Sequence, residues 1–390
     1  WAWPDVRVLF TCIIGFGHFY PLVPLARAFE KAGHEVAFAT DPGFCGSVAE
    51  TGFTAFPAGL DHAEAQRRFV AMTPGWDEVA PQDRAAYIMP GMFGQVRVPP
   101  MLADLAPLIA RWRPDLLIHD SAEMAGAIAA EVVGLPHAEH SFGLLRPRRN
   151  RRRATDVLAP ISASLGVPNP GVGGINGETY LDVCPPGLQF PEIADLKNRI
   201  ALRPEEFETP PDPDFERWIA ARSSRPLVYL TMGTIFNALD TFRTILAGLA
   251  SERIHVVVTV GAAIDPADLG AAAAGHYIRR FIPQAEVLRQ ADLMISHGGS
   301  GAMLGVLNAA VPMLAIPQGA DQFMNAARMS EAGVGLEILP DQLSPDAVRH
   351  AVERLLQDPG FATAACSLRA EIAAMPAPSS VVSHLEALVR

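Results

Sequence analysis

Val6-Arg7-Val8-Leu9-Phe10-Thr11-Cys12, running into Ile13-Ile14-Gly15-Phe16-Gly17-His18-Phe19-Tyr20-Pro21, decides the fold of the first half of this chain. A short β-branched apolar run reads as a buried strand; the glycines break it, and Leu22, Leu25, Ala26 and Phe29 then recur at helical spacing. Gly33 stops that helix, and Val36 to Ala39 reads as the next strand, completing a βαβ unit. The pattern returns with a strand at Leu116 to His119, a helix over Ala122 to Val133 and a stop at Gly134-Leu135-Pro136. Between them, residues 60–100 read as helical and irregular, with Met89, Met92, Phe93 and Met101 offering a pliable apolar lining.

From Leu196 to Pro213 the sequence turns polar and proline-rich, as an interdomain linker does. The βα rhythm then restarts, with strands expected at Leu227 to Thr231, His255 to Val260, Tyr277 to Phe281, Leu293 to Ser296, Met313 to Ile316 and Gly335 to Ile338. Alternating strands and helices favour parallel sheets covered on both faces. The expected fold class is therefore α/β, with two Rossmann-like doubly wound domains facing across a cleft, where ligands of open α/β sheets bind. Domain bounds of 1–203 and 204–376 follow, and 377–390 is expected to form a last helix, about Val381 to Val389, returning to the first domain.

Composition narrows the function. The 390 residues carry 31 basic and 42 acidic side chains, a net charge of −11, with 49% apolar and 19% charged residues, which is a globular composition. At ~150 residues per domain, two or three domains are expected. The acidic balance argues against a nucleic-acid partner, and with no run of 18 apolar residues no membrane insertion is expected. Cys12, Cys45, Cys184 and Cys366 form no C-x-x-C pair, so neither a zinc knuckle nor a disulfide framework is expected and a reducing cytoplasm fits best. Only Lys31 and Lys197 are lysines; Lys31 follows Glu30 where a phosphate-binding P-loop needs glycine. The start Trp1-Ala2-Trp3-Pro4, without methionine or a signal-like pattern, reads as an addition to the fold.

In the second half, Asp292-Leu293-Met294-Ile295-Ser296 delivers a strand end into His297-Gly298-Gly299-Ser300-Gly301, and Ala302 to Ala310 reads as a helix. Small residues let a phosphate approach the backbone, and the helix start supplies unpaired N–H donors, so this is an anion site. Upstream, Phe281-Ile282-Pro283-Gln284 could carry a base; downstream, Asp321 and Gln322 could meet sugar hydroxyls. Three neighbouring strand ends would then read three parts of one ligand.

In the order and spacing of these segments the chain resembles the GT-B glycosyltransferases of the macrolide, enediyne and plant secondary-metabolite type, over nearly its whole length. The resemblance implies that Ile282 and Gln284 border the base and ribose, that His297, Gly299, Ser300 and Gly301 hold the diphosphate, and that Asp321 and Gln322 touch the sugar. It also implies that Thr234, in Tyr229-Leu230-Thr231-Met232-Gly233-Thr234, reaches the phosphates. Phe281 stands where plant relatives usually carry tryptophan, which turns the expectation from a UDP-sugar to a dTDP-deoxysugar.

His18 lies between a strand end and a helix start on the rim of the first domain. A hydroxyl attacking an anomeric carbon must lose a proton, and a neutral imidazole titrates in the right range. Asp120, placed by the same strand-end logic, would orient the ring and stabilise the imidazolium. In the resembled family the matching histidine and aspartate are the catalytic base and its partner. With Phe16, Met89, Met92 and Phe93 as acceptor-binding residues, the expectation is an inverting transfer to a hydroxyl of a lipophilic enediyne or polyketide aglycone, with no metal or other cofactor and a homodimer as the expected assembly.

Other features weigh less. Asp212-Pro213-Asp214 matches the D-x-D metal pattern but reads as a solvated turn; His137 and His140 lack a third ligand; and the six arginines from Arg146 to Arg153 read as a solvated, mobile loop over the acceptor side. Three rivals stand beside the transferase. In a dehydrogenase, Val6 to Gly17 would open a dinucleotide fold and Asp41 would serve as the ribose acid, but Tyr20 breaks G-x-G-x-x-G and the His297 segment has no purpose. A nucleotide-sugar epimerase shares the architecture and needs no acceptor, and a non-catalytic binder would make His18 structural.

Overall fold

The structure, a computed structural model, describes residues 6–207, 210–233, 238–250, 253–273 and 276–389. The opening Trp1 to Pro4 and Thr234 lie outside the described residues. The chain divides into two compact units: Trp1–Cys184 with Gln189–Phe207 and Met375–Arg390, and Pro185–Leu188 with Glu208–Ala374.

The first unit is built on seven parallel strands: β1 (Arg7–Thr11), β2 (Glu35–Thr40), β3 (Thr54–Pro57), β4 (Leu116–Asp120), β5 (His137–His140), β6 (Thr179–Asp182) and β7 (Arg199–Ala201), in the order β3-β2-β1-β4-β5-β6-β7. In register, Leu9 lies between Ala37 and Leu117, and Thr11 lies between Ala39 and His119. Strands buried on both faces must be apolar almost throughout, which is why Val8-Leu9-Phe10 and Leu116-Leu117-Ile118 read so plainly. Leu9 and Leu117 join Leu105 and Ile128 of the helices Val98–Trp112 and Ala125–Val133 in the core. Each such side chain contributes about 1.5–3 kcal/mol by leaving water. Gly126 lets the second helix approach β1, since a Cβ there would stand 2.6 Å from Thr11 Oγ1.

The second unit has six parallel strands: β8 (Leu227–Thr231), β9 (His255–Thr259), β10 (Tyr277–Arg279), β11 (Leu293–Ser296), β12 (Met313–Ala315) and β13 (Gly335–Glu337), ordered β10-β9-β8-β11-β12-β13. The order is thus 3-2-1-4-5-6, the same as the first six strands of the other unit. In each sheet the winding reverses beside the first strand, between β1 and β4 and between β8 and β11. Ligands of such sheets collect beyond the carboxyl ends of the strands at that reversal. The core joins Val228, Leu230, Val256 and Ile295 of the strands to Phe242, Ile245, Val348 and Val352 of the helices.

Several expectations are corrected. The sequence read as linker from Leu196 contains β7, whose Ile200 pairs with Leu181, so the first unit reaches Phe207. The arginine-rich run is not a mobile loop. Arg148–Ser164 is a helix, and Arg151 is buried, donating to the carbonyls of Arg146 (2.9 Å) and Gly173 (3.0 Å). Asp212 is not a turn residue but the N-cap of helix Pro213–Ala221, accepting from the amides of Asp214 and Phe215. The last helix begins at Pro378, and its Glu386 meets His34 Nε2 at 2.8 Å while His34 Nδ1 accepts from the Val6 amide. Among the described residues no helix is long and apolar enough to cross a membrane.

Candidate active site

In the first unit β1 ends at Thr11, and the chain turns through Gly15 at φ 128°, a conformation open to glycine, into the helical turn Phe16–Phe19. The amides of His18 and Phe19 both donate to Gly15 O, fixing the ring's base. The neighbouring strand β4 ends at Asp120, so the winding reversal brings the two residues together. His18 Nδ1 and Asp120 Oδ2 are 3.0 Å apart. The contact is not a straight hydrogen bond, and neither carboxylate oxygen has another partner among the described residues. The Asp120 side chain is 1% exposed and that of His18 22%. A buried carboxylate without other donors leaves its charge to be balanced by the imidazole. With Nδ1 turned to Asp120, Nε2 is the atom that can accept a proton. Phe142 packs edge-on against the ring at 4.6 Å between centroids.

Burial works against charge on the surrounding ionisable groups. Burial pushes the His119 imidazole down to about 3 and that of His140 to about 4. It pushes the Glu123 carboxyl up to about 7, against the hydroxyl of Thr11 and the amides of Ala125 and Gly126. Burial, helped by the Asp120 charge, holds the Cys12 thiol well above its usual range. His137 pairs with Glu131 at 3.2 Å, and among the described residues no cluster of metal-ligating side chains forms.

Beside the pair lies a cavity lined by Cys12, Phe93, Arg97, Met101, Glu123 and Met124 among others. Phe93 is therefore on its wall. Met89 and Met92 are buried in apolar clusters, the first with Leu105 and Leu158, the second with Phe69 and Val96. Phe16 packs on Tyr20 and Phe44. Asp41, the acid that the dehydrogenase reading wanted for a ribose, is instead paired with Arg97 at 2.6 Å. Arg97 escaped the sequence reading because no spacing links it to a residue 56 positions earlier.

The three motifs of the second unit follow β10, β11 and β12. The three strand ends are not all neighbours as expected, since β9 and β8 stand between β10 and β11; helix-start contacts such as Gln284 to Gly301 join the first motif to the second. Ser296 Oγ lies 3.1 Å from His297 Nδ1; with the hydroxyl donating, the ring proton sits on Nε2. Burial, against the Asp321 charge, lowers His297 to about 4, so near neutral pH it is a neutral donor. Gly233 and Gly299 make room for this ring: a Cβ at either position would stand 2.6 Å from it. Gly233 was not singled out in the sequence, since its need arises only from His297. Helix Ser300–Ala309 presents its first amides beside the ring. Ser300 Oγ donates to Asp321 at 2.6 Å, and Asn325 Nδ2 donates to Asp321 at 2.9 Å and to Gly298 O at 3.0 Å. Gln322 is buried, its Oε1 accepting from the amides of Gln318 and Gly319. Gln284 Nε2 donates to Gly301 O at 3.2 Å, Ile282 is buried, and Phe281 is 64% exposed.

Residues 27–233 match the N-terminal domain, and residues 243–388 the C-terminal domain, of the family described as erythromycin biosynthesis protein CIII-like. The chain belongs to this family. It is 31% identical to the L-demethylnoviosyl transferase of Streptomyces niveus over 98% of each chain. To the 10-deoxymethynolide desosaminyltransferase of Streptomyces venezuelae it is 30% identical, over 98% of this chain and 97% of the other. Among solved structures it is similar to the glycosyltransferase VinC in complex with dTDP (TM-score 0.78, 28% identity, 98% of this chain and 99% of that one). It is also similar to the spinosyn rhamnosyltransferase SpnG (TM-score 0.80, 26% identity, 98% and 100%). This CIII-like protein is thus a glycosyltransferase with the two Rossmann-like domains of the GT-B fold, and the relatives support neither the dehydrogenase nor the epimerase reading.

Proposed function

We propose that the protein moves a deoxysugar from dTDP to a hydroxyl of a lipophilic polyketide or enediyne aglycone, with inversion and without a metal. The observation that carries this is the half-buried His18 ring over a buried carboxylate that has no other hydrogen-bond partner among the described residues. The acceptor oxygen bonds to the anomeric carbon as the bond from that carbon to the diphosphate oxygen breaks. The acceptor's proton passes to His18 Nε2, and the electron pair leaves with the diphosphate. His297 and the first amides of helix Ser300–Ala309 are fixed donors for the charge that grows there, which is the role a metal plays elsewhere. A relative named TDP-daunosamine transferase and the dTDP complex of VinC support the choice of nucleotide.

His18→Ala tests it. Turnover should fall by about 10²–10⁴ while dTDP affinity, measured by calorimetry, stays. The anomeric coupling of the product, read by NMR, should show inversion. Unchanged turnover or a retained anomer would overturn the mechanism, and tighter binding of UDP than dTDP would overturn the donor.

A further inference from the structure

The carboxylate of Asp321 is held through one of its two oxygens. Ser300 Oγ donates to Oδ2 at 2.6 Å and Asn325 Nδ2 donates to it at 2.9 Å, and Oδ1 takes neither bond. Asn325 stands four residues after Asp321 on the helix Gln322–Glu331, one turn along the same face, and is 0% exposed. An amide NH2 has two protons to give. The second goes to Gly298 O at 3.0 Å, with Ser300 Oγ at 3.3 Å beside it. A carbonyl and a carboxylate both accept, so the NH2 of the side chain and not its oxygen must face them. Gly298 turns at φ 80°, and a Cβ there would stand 3.4 Å from Gln322 O, so the turn after β11 lies against the start of that helix. One buried side chain thus ties the segment after β11 to the segment after β12. Leucine, of about the same volume, would fill the space but could not hold the carboxylate.

We propose that Asn325 is a positioning residue for the donor sugar. It fixes the Asp321 carboxylate relative to the turn after β11, so that Oδ1 accepts from a sugar hydroxyl while the diphosphate lies on His297 and the helix start. A carboxylate held by a single bond turns about its own axis; held by two on the same oxygen, it presents the other oxygen in one direction. A hydrogen bond to a charged acceptor is among the stronger ones, and its loss falls on the sugar rather than the nucleotide. The inference rests on the donor reading above and adds a residue that acts through Asp321.

Calorimetry on the full chain with two probes, dTDP and dTDP-glucose, separates the parts of the donor, and glucose keeps every hydroxyl that a deoxysugar lacks. Asn325→Ala should weaken dTDP-glucose about tenfold more than dTDP. In a chain that already carries Asp321→Ala, the same substitution should weaken the two probes alike, because the asparagine acts through the carboxylate. Should Asn325→Ala fail to fold, Asn325→Leu, which keeps the volume and removes the donors, carries the same comparison. Equal weakening of both probes by Asn325→Ala alone, no weakening of either, or the same tenfold difference in the chain lacking Asp321 would overturn the proposal and leave Asn325 a residue of the fold. Failure of the native protein to bind dTDP would overturn the donor reading itself, so the two readings can be told apart.

Discussion

Replacing Asp120 by asparagine keeps the shape at the floor of the site and removes its charge. With the imidazole and carboxylate 3.0 Å apart, two full charges interact by about 5.5 kcal/mol at an effective dielectric of about 20. That dielectric suits a ring with one solvent-facing edge. An imidazolium half formed in the transition state feels about half of this, about 2.7 kcal/mol, which is about a hundredfold in rate. Stability should move differently. Among the described residues neither oxygen of Asp120 has a hydrogen-bond partner, so the amide forfeits no hydrogen bond, and relief of a buried charge offsets the lost attraction to His18. Asp120→Asn should therefore lower kcat about a hundredfold, leave dTDP affinity unchanged, and keep the unfolding free energy within about 1 kcal/mol of the native value or raise it. Steady-state kinetics and urea unfolding decide the matter. A kcat within threefold of native would show that the carboxylate does not assist the base, and a large loss of stability would show that Asp120 is there for the fold.

Gly299→Ala or Gly233→Ala places a Cβ 2.6 Å from the His297 ring. Overpacking of about 1–3 kcal/mol should weaken dTDP binding about tenfold or more by calorimetry, and unchanged affinity would remove His297 from the phosphate site. Glu123, pushed to about 7 by burial, keeps in the native state a proton that the unfolded chain releases near pH 4.3. Its contribution is thus complete at low pH and falls by about 3 kcal/mol as pH rises to about 7. Unfolding free energies of Glu123→Gln should exceed the native ones increasingly over that window, and parallel curves would refute the burial argument. Arg151→Ala strips the donors from the carbonyls of Arg146 and Gly173, and should cost about 2 kcal/mol or more, read as a lower Tm.

What the sequence disclosed depended on whether polarity and burial agreed. β1, β4 and β8 are legible because they are apolar along their length and end in turn residues. β5 is not, for His137-Ala138-Glu139-His140 looks like a surface segment although Glu139 and His140 are buried. Glu139 accepts from the amide of Gly173, a distant contact that no local pattern announces. The arginine run misled for a related reason. Arginine is a good helix former, and Arg151 finds carbonyl partners that only the folded chain brings to it. Met89 and Met92 were correctly apolar, but apolarity does not distinguish a cavity wall from the core behind it. Asp120 and His297 could be placed because they stand at or one residue past a strand end, and His18 because it lies in the helical turn that follows the glycine-containing loop after β1.

The two units also explain each other. Both wind in the same order and both place their polar machinery at the reversal beside the first strand. In the first unit an imidazole stands over a buried carboxylate; in the second, glycines make room for an imidazole beside a helix start. The difference comes from a few residues. After β1 the chain rises through Gly15 into a turn that carries His18 toward the Asp120 end of β4, whereas after β8 it reaches Gly233, whose missing side chain admits the ring from the end of β11. At the second site the Asp321 carboxylate is taken up by Ser300 Oγ and Asn325 Nδ2, whereas at the first a residue without charge in place of Asp120 would leave an imidazolium unsupported. On the proposed mechanism, one topology would supply both a proton acceptor and an anion cradle, the two functions that transfer from an activated sugar requires.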